Sequence, residues 1–154
     1  MKPHYSVSFN GKQEIEPSAL GMVFKQQAAF TDGFVIGEVT TNSVDSTWEQ
    51  PWGERREVRD NHNELVVSLK HEGLPLPKIE QSWWQSLFSS QPETVSAQYT
   101  LRIRVFDDGL GFRYEVPKQA GYEAVEIVKE STEFAISGSD KTTAYWIPAR
   151  GWNR

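Results

Sequence analysis

The chain has no cysteine among its 154 residues. That excludes disulfides and thiolate metal sites, and it leaves the compartment undecided. Histidine is sparse as well: His4, His62 and His71 are the three present, and no two stand at a zinc-binding spacing such as HExxH. No apolar run comes near the roughly 18 residues that a membrane-spanning helix needs. The opening stretch MKPHYSVSFN has no apolar core of a signal peptide. Positive charge is short: 16 Lys and Arg stand against 21 Asp and Glu, scattered along the chain, for a formal net charge of -5. With no basic stripe, nucleic acid and anionic membranes are poor partners. GxSxG, Walker and GxGxxG patterns are all missing. Gly109-Leu110-Gly111 sits in a hairpin pattern, with no following helix to offer N–H groups to an anion.

What the chain has in quantity is aromatic residues and alternation. Six Trp, five Tyr and eight Phe suit a β-rich core, and equally suit a surface that contacts carbohydrate or protein. The strongest local pattern runs from Thr100 to Pro117. Tyr99, Leu101, Ile103 and Val105 alternate with Thr100, Arg102 and Arg104. After Asp107-Asp108-Gly109, Phe112, Tyr114 and Val116 alternate with Arg113 and Glu115. This predicts a β-hairpin with one buried face, its Asp-Gly supplying the positive φ that tight hairpin turns use.

Similar signals recur along the chain. Tyr5, Val7 and Phe9 lead to an Asn10-Gly11 turn and a return strand over Gln13 to Ile15, which Pro17-Ser18 is expected to break. Leu20, Met22 and Phe24 alternate again. After Asp32-Gly33, Phe34 to Thr41 reads as a strand and Asp45 to Pro51 as a polar loop. Leu65, Val67 and Leu69 mark a further strand. Leu74-Pro75-Leu76-Pro77 cannot form a central strand, because proline lacks the ladder donor. Ser82 can N-cap a short helix with Trp83, Trp84, Leu87 and Phe88 on one side. Residues 72–96 are therefore expected to be an excursion between strands. Val125 to Val128, Glu133 to Ser137 and Thr142 to Ile147 are the last strand candidates. Many short strands with little helix predict one domain over 1–154, an all-β antiparallel β-sandwich with a short helical excursion near 80–90.

Two constellations invite a chemical reading. Asp107-Asp108 resembles a carboxylate pair, but neighbours in a turn point apart and no calcium-loop spacing follows, so turn chemistry is the reading preferred. Glu54 to Glu64 is a dense polar run that includes Asn61, His62 and Asn63. It is either a ligand or interface surface, or a network in which Arg and Glu satisfy one another; the second is favoured. Trp48 and Trp52 are expected to cover the end of the sandwich. Trp83 and Trp84 are candidates for an interface patch.

Several segments occur together in one order: Trp48-Glu49-Gln50-Pro51-Trp52-Gly53-Glu54, then Arg59-Asp60-Asn61-His62-Asn63-Glu64-Leu65, then Phe106 to Pro117, then Ala144-Tyr145-Trp146-Ile147-Pro148. In this the chain resembles the N-terminal domain of glycoside hydrolase family 97, the α-glucosidase and α-galactosidase family. Tyr5 to Phe24 is similar to that domain's early strands, whereas the excursion over 72–96 is longer than expected. The resemblance implies a β-supersandwich that packs on a (β/α)₈ catalytic barrel and meets an α-linked oligosaccharide substrate. It implies no catalytic residue in this chain. It implies calcium in the full-length enzyme, with the domain's Glu ligand expected just beyond Arg154 and the family's first strand ahead of Met1. It also implies a periplasmic or secreted enzyme. The substrate or interface candidates are Trp52, Glu54, Asn61, His62, Asn63, Glu64, Trp83, Trp84 and Trp146. A free-standing carbohydrate-binding module and a protein-interaction module are the alternatives.

Overall fold

The computed structural model describes residues 2–75, 94–138, 143 and 145. Within them all regular structure is strand: β1 (His4–Phe9), β2 (Lys12–Ala19), β3 (Met22–Phe24), β4 (Val35–Glu49), β5 (Glu57–Pro75), β6 (Thr94–Phe106), β7 (Gly109–Glu115) and β8 (Ile127–Glu130). Every pairing is antiparallel. One layer is a four-stranded sheet in the order β4-β5-β6-β7; the other comprises the pairs β1-β2 and β3-β8. The expected helix over Ser82 to Phe88 lies outside the described residues, as does most of the Thr142 to Ile147 strand.

The core is the contact between these layers. Alternation along β5 and β6 points Leu69, Ala97, Tyr99 and Leu101 at Leu20, Met22, Phe24, Phe30 and Phe34 from the other layer and its loop. Phe30 and Tyr99, each 1% exposed, are stacked with centroids 5.1 Å apart. Phe24 and Phe34 meet Phe30 edge-on, at 4.9 and 5.2 Å. Such edge-on pairs add to what burial alone contributes. Tyr122 closes the cluster, and its hydroxyl donates to the Ala28 carbonyl at 2.9 Å. Burial pushes that hydroxyl's pKa up to about 12. Gly33, at φ 73°, carries the turn into β4, and a side chain there would collide with the His71 ring.

Several expectations need correction. Asn10 and Gly11 both have positive φ, 50° and 77°, as a type I′ turn requires. Asp107, Asp108 and Gly109 do not, so the β6–β7 turn forms without the left-handed conformation expected of its Asp-Gly. Pro17 does not end β2, because the ladder shifts register between the Tyr5–Ser18 and Val7–Ile15 pairs. The proline falls in that irregularity, where a missing donor costs little. Pro75 likewise closes β5, where β6 is still paired but β4 is already absent beyond Lys70. Residues 72–75 and 94–96, expected to belong to the excursion, are strand; the rest of it lies outside the described residues. Asp45 to Glu49 is strand and not loop, paired residue for residue with Glu57 to Asn61. The polar side chains misled because nothing in the described residues covers them. Glu133 to Ser137 forms no continuous strand; it follows β2 through one bridge, Ile15–Ile136, and backbone bonds such as Glu16 N–H to the Ala135 carbonyl.

The uneven strand lengths create an arm. β6 pairs with β5 only as far as Asn63, so β4 and β5 run on as a two-stranded arm to a turn over 50–56. Trp48 and Trp52 sit on that arm, half-exposed and 80% exposed. They do not cover the end of the sandwich, because the arm extends past it.

Candidate functional site

Pleating decides which candidates meet. Asn61, His62, Asn63 and Glu64 are consecutive in β5, so they alternate between its two faces. Leu65, Val67 and Leu69 define the core-facing set, which puts Asn61 and Asn63 in line with that face and His62 and Glu64 on the other. Asn63 accepts a hydrogen bond from the Ser43 hydroxyl at 2.6 Å across the β4–β5 pair. Asn61 stands opposite Asp45, exposed. The four residues therefore do not converge on one site.

Glu64 anchors a charged network on the face away from the core. Its side chain is only 10% exposed. Its Oε1 accepts from Arg102 at 2.7 Å and its Oε2 from Arg104 at 3.0 Å. Arg102 also donates to Glu115 at 2.8 Å, and Arg113 donates to the same carboxylate at 2.7 Å. Burial works against ionisation of Glu64, but the bonds from Arg104 and Arg102 outweigh it and hold its carboxyl below the ordinary range. Hydrogen bonds from Arg102 and Arg113 hold Glu115 at about 2. Arg104 approaches Asp60 at 3.9 Å, and Asp60 bonds the His62 Nδ1 at 2.5 Å. His62 is buried with its ring 5.3 Å from Phe106, and its Nε2 has no protein partner among the described residues.

The partners in this network, Asp60, Arg102, Arg104 and Glu115, were not singled out in the sequence. The signal was present in two places, an Arg-x-Arg alternation in one strand and isolated acids in two others, but only the register aligns Glu64 with Arg104. Asp107 and Asp108 stay in the β6–β7 turn and take no part in it.

Trp52 and Glu54 do come together. They line a shallow hollow of about 630 Å³ at the arm's tip, with Glu49, Gln50 and Arg56. The tip is braced from within. Gln50 N–H donates to the Arg56 carbonyl at 2.9 Å, and the Gln50 amide donates to the Arg55 carbonyl at 2.5 Å. The Arg56 guanidinium grips Glu49 Oε2 with two bonds, at 3.1 and 3.0 Å. Below the tip, Arg59 makes a bidentate pair with Asp45, at 2.7 and 2.6 Å. Trp83, Trp84 and Trp146 lie outside the described residues.

No three His, Asp or Glu side chains converge into a metal-holding group among the described residues. The carboxylates that do cluster are taken up by arginines. These residues do not by themselves fit the calcium site that the family resemblance implies.

A family model described as Glycosyl-hydrolase 97 N-terminal matches residues 1–154. The chain is similar to a glycoside hydrolase family 97 enzyme from Pseudoalteromonas sp. strain K8, solved as a variant in complex with panose. Identity is 46% and the TM-score 0.76, over 99% of this chain and 20% of that one. The structure of a family 97 enzyme from the same strain in complex with acarbose matches with the same figures. A β-arabinopyranosidase is similar at 27% identity and a TM-score of 0.65, over 88% of this chain and 18% of that one. The chain spans about one fifth of the length of these solved relatives. With two antiparallel layers in place and the match running from its first residue to its last, the chain belongs to the glycosyl-hydrolase 97 N-terminal family.

Proposed function

We propose that this domain serves an α-glycoside hydrolase without itself catalysing the reaction. It packs on the enzyme's (β/α)₈ catalytic barrel and helps shape the site for an α-linked oligosaccharide. The observation that carries the reading is the 46% identity to an enzyme crystallised with panose, of which this domain is a fifth. The state of the carboxylates supports it. A general acid in glycoside hydrolysis needs a raised pKa, and its partner must face it across the sugar. Glu115 has been pushed the opposite way, and Glu64 is locked between two arginines. Both are suited to holding strands together and unsuited to moving protons. Calcium in the full-length enzyme would take its ligands from outside the described residues.

The test is an assay of this chain alone on an aryl α-glucoside and an aryl α-galactoside, beside a protein in which it is joined to a family 97 barrel. The joined protein should hydrolyse one of them and the lone chain neither. Turnover by the lone chain would overturn the proposal.

A further inference from the structure

The tip of the β4–β5 arm has features that its fold does not require. Trp52 is 80% exposed, so its indole contributes little to any core. The turn that presents it is nonetheless hydrogen-bonded from within: Gln50 spans the turn and Arg56 clamps Glu49. An exposed aromatic on a braced turn is arranged for something outside the arm, because ordering it in advance lowers the entropic cost of contact.

The chemistry around the ring narrows what that is. The hollow beside Trp52 holds Glu49, Gln50, Glu54 and Arg56. Arg56 uses only Oε2 of Glu49, which leaves Oε1 able to accept. The arm's ion pairs are Arg56–Glu49 and Arg59–Asp45, so Glu54 has no such partner among the described residues. The hollow thus offers one flat apolar face, two acceptor carboxylates and a donor guanidinium. Its acidic balance disfavours anions. Protein interfaces are enriched in Trp and Arg but depleted in Glu, so it is the two carboxylates that weigh against a protein. A pyranose fits all three features: its C–H face lies on an indole, and its vicinal hydroxyls donate to carboxylates and accept from a guanidinium.

We infer that the arm tip is a sugar-contact site in which Trp52 stacks on one residue of an α-linked gluco-oligosaccharide and Glu54 and Glu49 take its hydroxyls. The choice of an α-linked ligand rests on the function proposed above; the site itself rests on the geometry of the tip. It would hold a stretch of substrate by binding alone and transfer no proton.

Isothermal titration of the full chain with maltoheptaose tests this, with cellotetraose as the β-linked control. Saturable binding of maltoheptaose is expected. Trp52→Ala should weaken it by about tenfold or more, the range expected for losing an aromatic platform. Glu54→Gln should weaken it less, and Trp48→Phe should leave it unchanged. Circular dichroism checks that each variant folds; if Trp52→Ala does not, the Glu54→Gln titration decides. No binding overturns the inference, and so does binding that Trp52→Ala and Glu54→Gln leave intact. A Trp52→Ala variant that loses only its association with a catalytic barrel, with no sugar bound by either form, assigns the tip to protein docking and overturns it too. Absence of sugar binding leaves the accessory role standing. Turnover by the lone chain removes that role without touching the tip.

Discussion

β5 lives in two environments. Between Leu65 and Leu69 it lies between β4 and β6 and against the second layer, so Leu69 is buried and Val67 partly buried beside Tyr99 and Leu101. Between Glu57 and Asn61 the same strand has only β4 beside it, and most side chains are exposed. The inner part is held by hydrophobic burial and aromatic packing. The outer part is held by backbone pairing, by the bidentate Arg59–Asp45 pair and by Arg56 on one oxygen of Glu49. Between them, burial changes face: Leu65, Val67 and Leu69 turn toward the core, whereas His62 is buried on the opposite side, against Phe106. The lesson is that one strand can serve as core and as lever. Which it does depends on how many neighbours it has at each level, more than on its own composition.

That contrast can be broken from the core outward. The largest effect is expected from Phe30→Ala, which empties the middle of the aromatic cluster and should cost about 3–5 kcal/mol of stability. Urea denaturation measures it, and a loss below about 1 kcal/mol would mean the inner region is not the principal source of stability. A middle-sized effect belongs to the charged network between the two regions. Glu115 is held at about 2, below its ordinary 4.5. A carboxylate depressed on folding stabilises fully above its unfolded pKa, and that stabilisation is lost as pH falls toward the folded value. Stability should therefore decline from about pH 4.5 down to about 2, and Glu115→Gln should flatten that part of the profile. Urea midpoints measured at stepped pH would show it; a variant with an unchanged slope would detach the network from stability. The smallest effect is expected at the arm's tip. Trp52→Ala should shift stability by no more than about 0.5 kcal/mol, as at an exposed site outside any core. A larger loss would show that the arm contributes to the fold that carries it.

Much of the inner region was legible from residue order. Period-2 alternation marked β1, β6 and β7 and named their buried faces, and Asn10-Gly11 marked a turn whose φ values demand such residues. The arm was not legible. Asp45 to Glu49 reads as loop because its side chains are polar, yet polar residues pair as readily as any when both faces meet solvent. The charged network was half legible: Arg102 and Arg104 shared a face in the pattern, but their acid, Glu64, lies 38 and 40 positions away. The same limit explains the misplaced tryptophans. Trp48 and Trp52 were expected to cap a sandwich because large apolar side chains are usually covered. Only the length of β4 and β5 beyond β6 shows that they stand clear of it.

The sequence by itself determined the antiparallel β class, the residues that share a face within a strand, and membership in a family through motifs held in order. Those properties are local or strictly linear: a pleat repeats every second residue, and a motif is read along the chain. The tertiary structure alone decided which faces are covered, where a strand outruns its neighbours, and which carboxylates arginines neutralise. Those outcomes depend on register and layering, which bring together residues such as Glu64 and Arg104 that no local pattern connects. The Trp52 tip belongs to that second class. Trp52 and Glu54 are substrate or interface candidates from the sequence, but only two long strands carry them past the edge of the sheet with Glu49 and Arg56 beside them.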